Sequence, residues 1–175
     1  RQMCIRDSYP SLYYVDGAAS GTNDGTSWAD GFNCLQDALM LADSGDQIWV
    51  AEGVYRPDDF AWSDRPSLGR AETFQLRSGV AIYGGFPSGG GDWEARDPDT
   101  YPTILSGDLA GDDQVPAELA KLRTEATRAE NAYHVVTATS VDETAILDGF
   151  VITGGNANAA EAPHYRGGGV YVEHG

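Results

Sequence analysis

The stretch Ile48-Trp49-Val50-Ala51-Glu52-Gly53 decides the fold, because its pattern returns along the chain. In every copy a short run of apolar or β-branched residues is followed by a glycine-containing turn, and the copies recur about every 20–30 residues. Repetition of this kind is typical of a solenoid, in which each unit buries its apolar face against the next unit. The other copies are residues 80–85, 103–108, 145–155 and 167–172.

One amphipathic helix is predicted just before this stretch, over residues 33–43. Asn33 can cap its first turn, and Gln36 can reach back to the cap as in a capping box. Apolar residues beginning with Leu35 recur on one face, and Gly45 stands where a left-handed terminating residue belongs. We expect this helix to cover the open end of the first coil.

These patterns predict an all-β fold, a right-handed parallel β-helix (solenoid) with an N-terminal amphipathic capping helix and loop insertions. The insertions are expected at residues 56–71, 87–102 and 110–132, the last containing a short helix that begins at Pro116. Helices occur only as a cap and an insert, which argues against a doubly wound α/β sheet. The strand-like runs are too short, and their turns too unequal, for a sandwich.

The chain divides into three segments. Residues 1–8 do not join the pattern and are interpreted as a sequencing or cloning artefact. Residues 9–47 hold the first strand, a loop and the capping helix, and residues 48–175 hold the first rungs of the β-helix, with a truncated C-terminus expected. With Cys4 set aside, Cys34 stands alone and is interpreted as a buried structural thiol.

The net charge of −16 limits the classes of partner. An acidic surface repels phosphate backbones, and no basic stripe is present, so nucleic acid is not an expected partner. No apolar run approaches the roughly 20 residues of a membrane span. We expect a monomer.

Several motifs occur in an order that resembles one protein group. They include Gly25-Thr26-Ser27-Trp28, residues 45–55, 79–86 and 103–108, and Ile146-Leu147-Asp148-Gly149-Phe150. In this respect the chain resembles the N-terminal part of bacterial right-handed parallel β-helix repeat proteins of the pectin-lyase-like fold, in the choice-of-anchor and polymorphic outer-membrane-protein-like group. The resemblance implies a secreted or cell-surface location, and the fold hosts lyases, hydrolases, adhesins and passenger domains alike.

The densest acidic cluster consists of Asp108, Asp112 and Asp113. Carboxylates on a glycine-bearing loop can hold Ca²⁺ through several oxygens, and the polysaccharide lyases of the resembled fold often use calcium. The spacing lacks the regular ligand alternation of a dedicated calcium loop, so a solvated turn is the alternative. Cofactors are therefore predicted as none, with calcium kept as an option.

Paired carboxylates could also perform glycosidic acid–base chemistry. Asp148, Asp108 and Glu52 lie in or beside the predicted strands and could align on one face of the predicted β-helix across neighbouring rungs. The alternative is structural, since aspartate in such turns bonds its own backbone. Arg166 would correspond to the base of a lyase site by resemblance, with an ordinary loop residue as the alternative.

Tryptophans provide the candidate ligand-binding residues. Trp62 and Trp93 lie on the insertions beside acidic residues and are the candidates for stacking on sugars. Anchoring of loops is the alternative, and it is the role expected for Trp28.

The leading function hypothesis is a noncatalytic secreted or cell-surface module that contacts glycans or other cells. The alternative is a polysaccharide lyase or glycoside hydrolase, and a third possibility is a structural spacer that retains no glycan.

Overall fold

A computed structural model describes residues 10–61, 67–114, 121–122 and 125–173. Short strands dominate these residues, together with one α-helix, α1 (Leu35–Leu41), and single turns of 3-10 helix at Gly69–Ala71, Trp93–Ala95 and Ala126–Arg128. The strands in chain order are β1 (Leu12–Val15), β2 (Gln47–Ala51), β3 (Gly53–Tyr55), β4 (Phe74–Gln75), β5 (Ala81–Phe86), β6 (Thr103–Ser106), β7 (Val136–Thr139), β8 (Ile146–Asp148), β9 (Phe150–Thr153) and β10 (Val170–Glu173).

The strands form three small sheets, and every strand pair in them is parallel. The first sheet has the order β1-β2-β5-β8, the second β3-β6-β9 and the third β4-β7-β10. From β2 onward, strands that follow one another in the chain enter different sheets, whereas β1 and β2 pair with each other in the first sheet. A parallel partner is reached only after a long connection, as parallel pairing requires.

The predicted fold class, an all-β right-handed parallel β-helix, is wrong for the described part of the chain. Three separate sheets of four, three and three strands replace the expected solenoid. A solenoid stacks near-identical units, whereas these strands range from two to six residues. The register between β2 and β5 also shifts between Trp49 and Ala51.

The hydrophobic core is shared by all three sheets and the helix. Along β2, Ile48 and Val50 are buried while Gln47 is exposed, which is the alternation expected of a strand with one face inward. Side chains at 3% exposure or less meet from the first sheet (Ile48, Val50, Ile82), the second (Tyr55, Leu105), the third (Phe74, Val136) and α1 (Leu35, Ala38).

Helix α1 packs its buried face against β1 and β4. The predicted capping box is wrong, because α1 begins at Leu35 after Cys34, with no side-chain cap. The Asn33 amide instead donates to the carbonyls of Asp16 and Ala19, and the Gln36 amide donates to two further backbone carbonyls. Both polar side chains stabilise neighbouring loops rather than the end of the helix.

Other predicted segments fall partly outside the described residues. The artefact assigned to residues 1–8 and the start of the helix predicted from Pro116 both lie there, so neither is described further. No helix in the described part is long and apolar enough to cross a membrane.

Candidate functional site

Aromatic residues line up across the outer side of the first sheet. Tyr14 on β1 is paired in register with Trp49 on β2, and Trp49 is paired with Tyr83 on β5. Because side chains alternate along a strand, these rings project on the side opposite to buried Ile48 and Val50. The Tyr14 and Trp49 rings meet edge to face, with centroids 6.0 Å apart.

Two further residues, one at the end of β5 and one in a loop, extend this line of rings. Phe86 stacks on Trp49 at 4.7 Å, with 12° between the ring planes. Trp28 packs against Tyr14 at 4.8 Å and against Phe86 at 5.3 Å, and its indole N–H donates to the Gly91 carbonyl at 2.9 Å. Trp28 therefore anchors its loop, as predicted.

Trp93 is the outermost ring of the group. It lies on the 3-10 turn Trp93–Ala95 with 42% of the residue exposed. Tyr83 meets it edge to face at 5.0 Å and Trp49 lies 5.5 Å away. The ring is supported from beneath by other rings while part of it faces solvent. We refer to Tyr14, Trp28, Trp49, Tyr83, Phe86 and Trp93 as the aromatic face.

A charged pair borders the aromatic face. The Arg96 guanidinium lies 5.3 Å from the Trp93 ring centre and 5.6 Å from that of Tyr83, within cation–π range. The same guanidinium pairs with the carboxylate of Asp148 on β8, and its Nε donates to the Gly84 carbonyl at 2.7 Å. Asp148 is more exposed than Arg96, so the carboxylate is the part of the pair that solvent reaches most easily.

The loop that carries Trp93 and Arg96 closes on Asp97. The Asp97 amide donates to the Gly85 carbonyl at 2.7 Å. Its carboxylate accepts hydrogen bonds from the Thr100 hydroxyl at 2.8 Å, from the Thr100 amide and from the Asp99 amide. The Thr100 hydroxyl is the largest cause that lowers the pKa of Asp97 below its ordinary value.

Sequence reasoning found only part of this site. Trp93 was a candidate, and the other predicted glycan-binding residue, Trp62, lies outside the described residues. Tyr83 and Arg96 were not singled out, because the register that brings β2, β5 and β8 together does not follow from the order of residues alone. Tyr83 could have been found from the repeated sequence pattern, because it stands in the copy at residues 80–85 much as Trp49 stands in the copy at residues 48–53.

The acidic cluster differs in membership from the predicted one. Carboxylate oxygens of Asp108, Asp112 and Glu130 lie within 4.8 Å of one another. Asp113 instead forms an ion pair with Arg128 at 3.0 Å and accepts a hydrogen bond from the Asn131 amide at 2.9 Å. The third member of the cluster is therefore Glu130 and not the predicted Asp113. Glu130 is distant in sequence but reaches Asp108 and Asp112 because the insertion folds back on the turn.

Asp108 already has a structural role in this cluster. Its carboxylate accepts the backbone N–H groups of Gly111 at 2.7 Å, Asp112 at 3.1 Å and Asp113 at 3.0 Å. Burial acts to raise the pKa of Asp108, but these hydrogen bonds outweigh it and the net pKa is lowered. Burial, with smaller contributions from Asp108 and Asp112, raises the pKa of Glu130.

This arrangement can accommodate a proton or a cation. Calcium takes six to eight oxygen ligands at about 2.3–2.6 Å, and the cluster brings together three carboxylates. Without an ion, the repulsion from Asp108 and Asp112 adds to burial in raising the pKa of Glu130. The loop-closing role of Asp108 agrees with the solvated-turn interpretation of the sequence.

The carboxylates considered for acid–base catalysis each have a partner. Asp148 is paired with Arg96, Asp108 holds three backbone N–H groups, and Glu52 accepts the Ser88 amide at 3.3 Å. The Arg166 guanidinium lies over the Tyr165 ring at 4.8 Å. These contacts favour the structural interpretation of all four residues.

Cys34 is half-buried rather than fully buried and precedes the first residue of α1. Burial, followed by the charges of Asp37 and Asp59, raises the pKa of its thiol to about 11. A thiol that stays protonated at neutral pH is a poor nucleophile, so Cys34 has no features of a catalytic residue.

No protein-family model, no curated protein and no solved structure matches this chain. The resemblance drawn from its sequence motifs therefore stays a prediction, and the function is argued from the site alone.

Proposed function

We propose that this chain is a noncatalytic glycan-binding module of a secreted or cell-surface protein, and that a neutral sugar stacks on Trp93. The observation that carries the proposal is the half-exposed Trp93 ring supported by the rest of the aromatic face. A ring held by neighbouring rings loses little conformational freedom when a ligand covers it. Aromatic surface with a few polar groups at its border is the general composition of ligand sites.

The Arg96–Asp148 pair supplies those polar groups. Arg96 offers N–H donors and Asp148 offers carboxylate oxygens, and both lie at the edge of the Trp93 and Tyr83 rings. Sugar hydroxyls both donate and accept hydrogen bonds, so a donor–acceptor pair beside a stacking ring suits them. The pair also fixes orientation, because its two members act on different hydroxyls.

The net charge of the chain limits the class of glycan that we expect it to bind. A net charge of −16 disfavours polyanions such as uronate polymers at ordinary salt. Neutral hexose or pentose polymers carry no such penalty. The proposal therefore specifies neutral polysaccharides, and it predicts binding that changes little with ionic strength.

Isothermal titration with a panel of neutral oligosaccharides tests the proposal, using wild type, Trp93→Ala and Trp93→Phe. We expect Trp93→Ala to weaken binding about tenfold or more, since loss of an aromatic contact at a binding hot spot costs about 2 kcal/mol, and Trp93→Phe to retain part of the affinity. Tyr165→Ala is the matched control, because Tyr165 is equally exposed but lies outside the aromatic face. Equal binding by wild type and Trp93→Ala would contradict the proposal.

The alternative function is a polysaccharide lyase or glycoside hydrolase. It is tested by incubating the protein with neutral and acidic polysaccharides, with and without calcium. We expect no new reducing ends and no unsaturated ends. Their appearance, with loss in an Asp148→Asn variant, would replace the noncatalytic proposal by an enzymatic one.

A further inference from the structure

Two histidines outside the aromatic face approach each other closely. His134 precedes β7 and is 4% exposed, and His164 lies on the loop between β9 and β10. The Nε2 atom of His134 is 3.3 Å from Nδ1 of His164. A loop and the body of the protein thus meet through two imidazole rings.

The first ring has a defined tautomer. His134 Nδ1 lies 3.1 Å from the carbonyl oxygen of Gly167. A carbonyl oxygen only accepts, so Nδ1 carries the hydrogen and the neutral ring presents its lone pair at Nε2. A backbone carbonyl on one ring nitrogen with the other nitrogen free to coordinate is the usual arrangement of a metal-binding histidine.

The spacing of the two nitrogens suits one shared metal ion. Two imidazole nitrogens at about 2.0–2.1 Å from a tetrahedral ion lie roughly 3.3–3.4 Å apart. The observed 3.3 Å fits this spacing, and it also fits a direct N–H···N hydrogen bond, the competing state that the titration below distinguishes from metal binding.

Aromatic stacking holds both rings in place. Tyr171 stacks on His134 at 4.9 Å, and Tyr133 stacks on His164 at 4.5 Å. The Arg70 guanidinium lies 4.2 Å from the Tyr133 ring centre and donates to the Asn158 side chain of the same loop at 2.7 Å. A site whose ligand side chains are already oriented loses less conformational entropy when an ion binds.

We propose that His134 and His164 form a two-histidine site for a first-row transition-metal ion: the spacing fits tetrahedral Zn²⁺, and Cu²⁺, which nitrogen sites generally bind more tightly, serves as the spectroscopic probe. Among the described residues no third His, Cys, Asp or Glu side chain shares this position, so water completes the coordination. Two neutral imidazoles suit Cu²⁺, Ni²⁺ and Zn²⁺, and the Irving–Williams order places Cu²⁺ highest. Hard ions such as Ca²⁺ and Mg²⁺ are not expected to bind here.

The test is a Cu²⁺ and Zn²⁺ titration of the 175-residue chain by calorimetry at neutral pH, in competition with glycine, together with electron paramagnetic resonance of the Cu²⁺ form. We expect one bound ion and hyperfine splitting from two imidazole nitrogens. His164→Gln and His134→Gln are each expected to weaken Cu²⁺ binding by about tenfold or more. Asp112→Asn, which alters the acidic cluster instead, is the matched control and is expected to bind Cu²⁺ as the wild type does.

The half-exposed position of His164 keeps the test valid if the buried His134 variant does not fold. Thermal unfolding checks the fold of each variant. Cu²⁺ binding within twofold of wild type by a folded His164→Gln chain would overturn the proposal. A Cu²⁺ spectrum with oxygen ligands alone, or loss of binding in Asp112→Asn, would overturn it as well.

Discussion

At the scale of single residues, the exposed fraction distinguishes a ring that anchors from a ring that can bind. Trp28 is enclosed by Tyr14, Phe86 and its hydrogen bond to the Gly91 carbonyl. Trp93 has the same kind of aromatic support but keeps 42% exposure. The proposed function depends on this difference, because an exposed and supported ring leaves a face on which a ligand can stack, with Arg96 and Asp148 beside it.

Acidification is expected to loosen the loop that carries Trp93. The pKa of Asp97 is lowered from 3.8 in the folded chain, so its stabilising effect is fully present above about pH 4 and is lost as pH falls through the folded pKa. We expect glycan affinity and Trp93 fluorescence to change in that acidic range, and Asp97→Asn to remove the change. Asp142→Asn is the control, because Asp142 has a similarly lowered pKa on a loop away from the aromatic face. An unchanged pH profile in Asp97→Asn would exclude this role.

At the scale of elements, neighbouring turns approach so closely that only glycine fits at some positions. A Cβ at Gly84 on β5 would lie 2.6 Å from the Gly149 carbonyl oxygen and 2.9 Å from the Thr103 Cβ. Gly84 does not have a positive φ, so the restriction is steric rather than conformational. The glycines of the repeated sequence pattern therefore serve close packing between strands as well as turns.

Gly84→Ala is expected to destabilise the protein by about 1–3 kcal/mol, because backbone must shift to admit the methyl group. Urea unfolding followed by circular dichroism measures the loss. Gly17→Ala is the matched control, since its Cβ would meet its nearest neighbour at 3.8 Å. Equal midpoints for both variants would show that the close approach at Gly84 is relieved without cost.

The turn closed by the Asp108 carboxylate gives a second prediction at the scale of elements. Asp108→Ala leaves the amides of Gly111, Asp112 and Asp113 without their acceptor, and we expect a loss of about 1–3 kcal/mol. Asp112→Ala is expected to change stability by less than about 0.5 kcal/mol. Millimolar calcium is expected to leave the melting temperature unchanged. A calcium-dependent rise that Asp112→Ala abolishes would instead assign the cluster to a cation.

At the scale of the whole molecule, one core joins the three sheets. Leu105 of the second sheet is fully buried and belongs to the same cluster as Ile48 of the first and Phe74 of the third. Among the residues that the structure describes, no sheet has a core of its own, so the sheets are expected to unfold together. The acidic charge acts at this scale too, because it affects which ligands approach rather than how the chain folds.

Leu105→Ala is expected to cost about 2–5 kcal/mol, the usual effect of removing a large aliphatic side chain from a closed core. The change should move the unfolding of all three sheets together, as seen by circular dichroism and tryptophan fluorescence. Val54→Ala on the neighbouring strand β3 is the control, because Val54 is 50% exposed, and is expected to change stability by less than about 0.5 kcal/mol. Separate transitions for the two probes would contradict a shared core.

Local physics made much of the secondary structure predictable. Runs such as 48–53 and 80–86 are short, β-branched or aromatic and bounded by glycine, and they form strands close to the predicted positions. The apolar face of α1 was also predictable from its spacing. The capping box was not, because the Asn33 and Gln36 amides found backbone carbonyls in distant loops.

What the sequence determined by itself was the position of the strands, the acidic charge and the candidacy of Trp93. Only the tertiary structure decided the division into three sheets, the placement of Tyr83 and Arg96 beside Trp93, the exchange of Asp113 for Glu130 and the meeting of His134 with His164. Each of these depends on contacts between residues far apart in the chain. Periodicity reports which face of an element is apolar, whereas register and loop packing are set by the fit of all elements around one core.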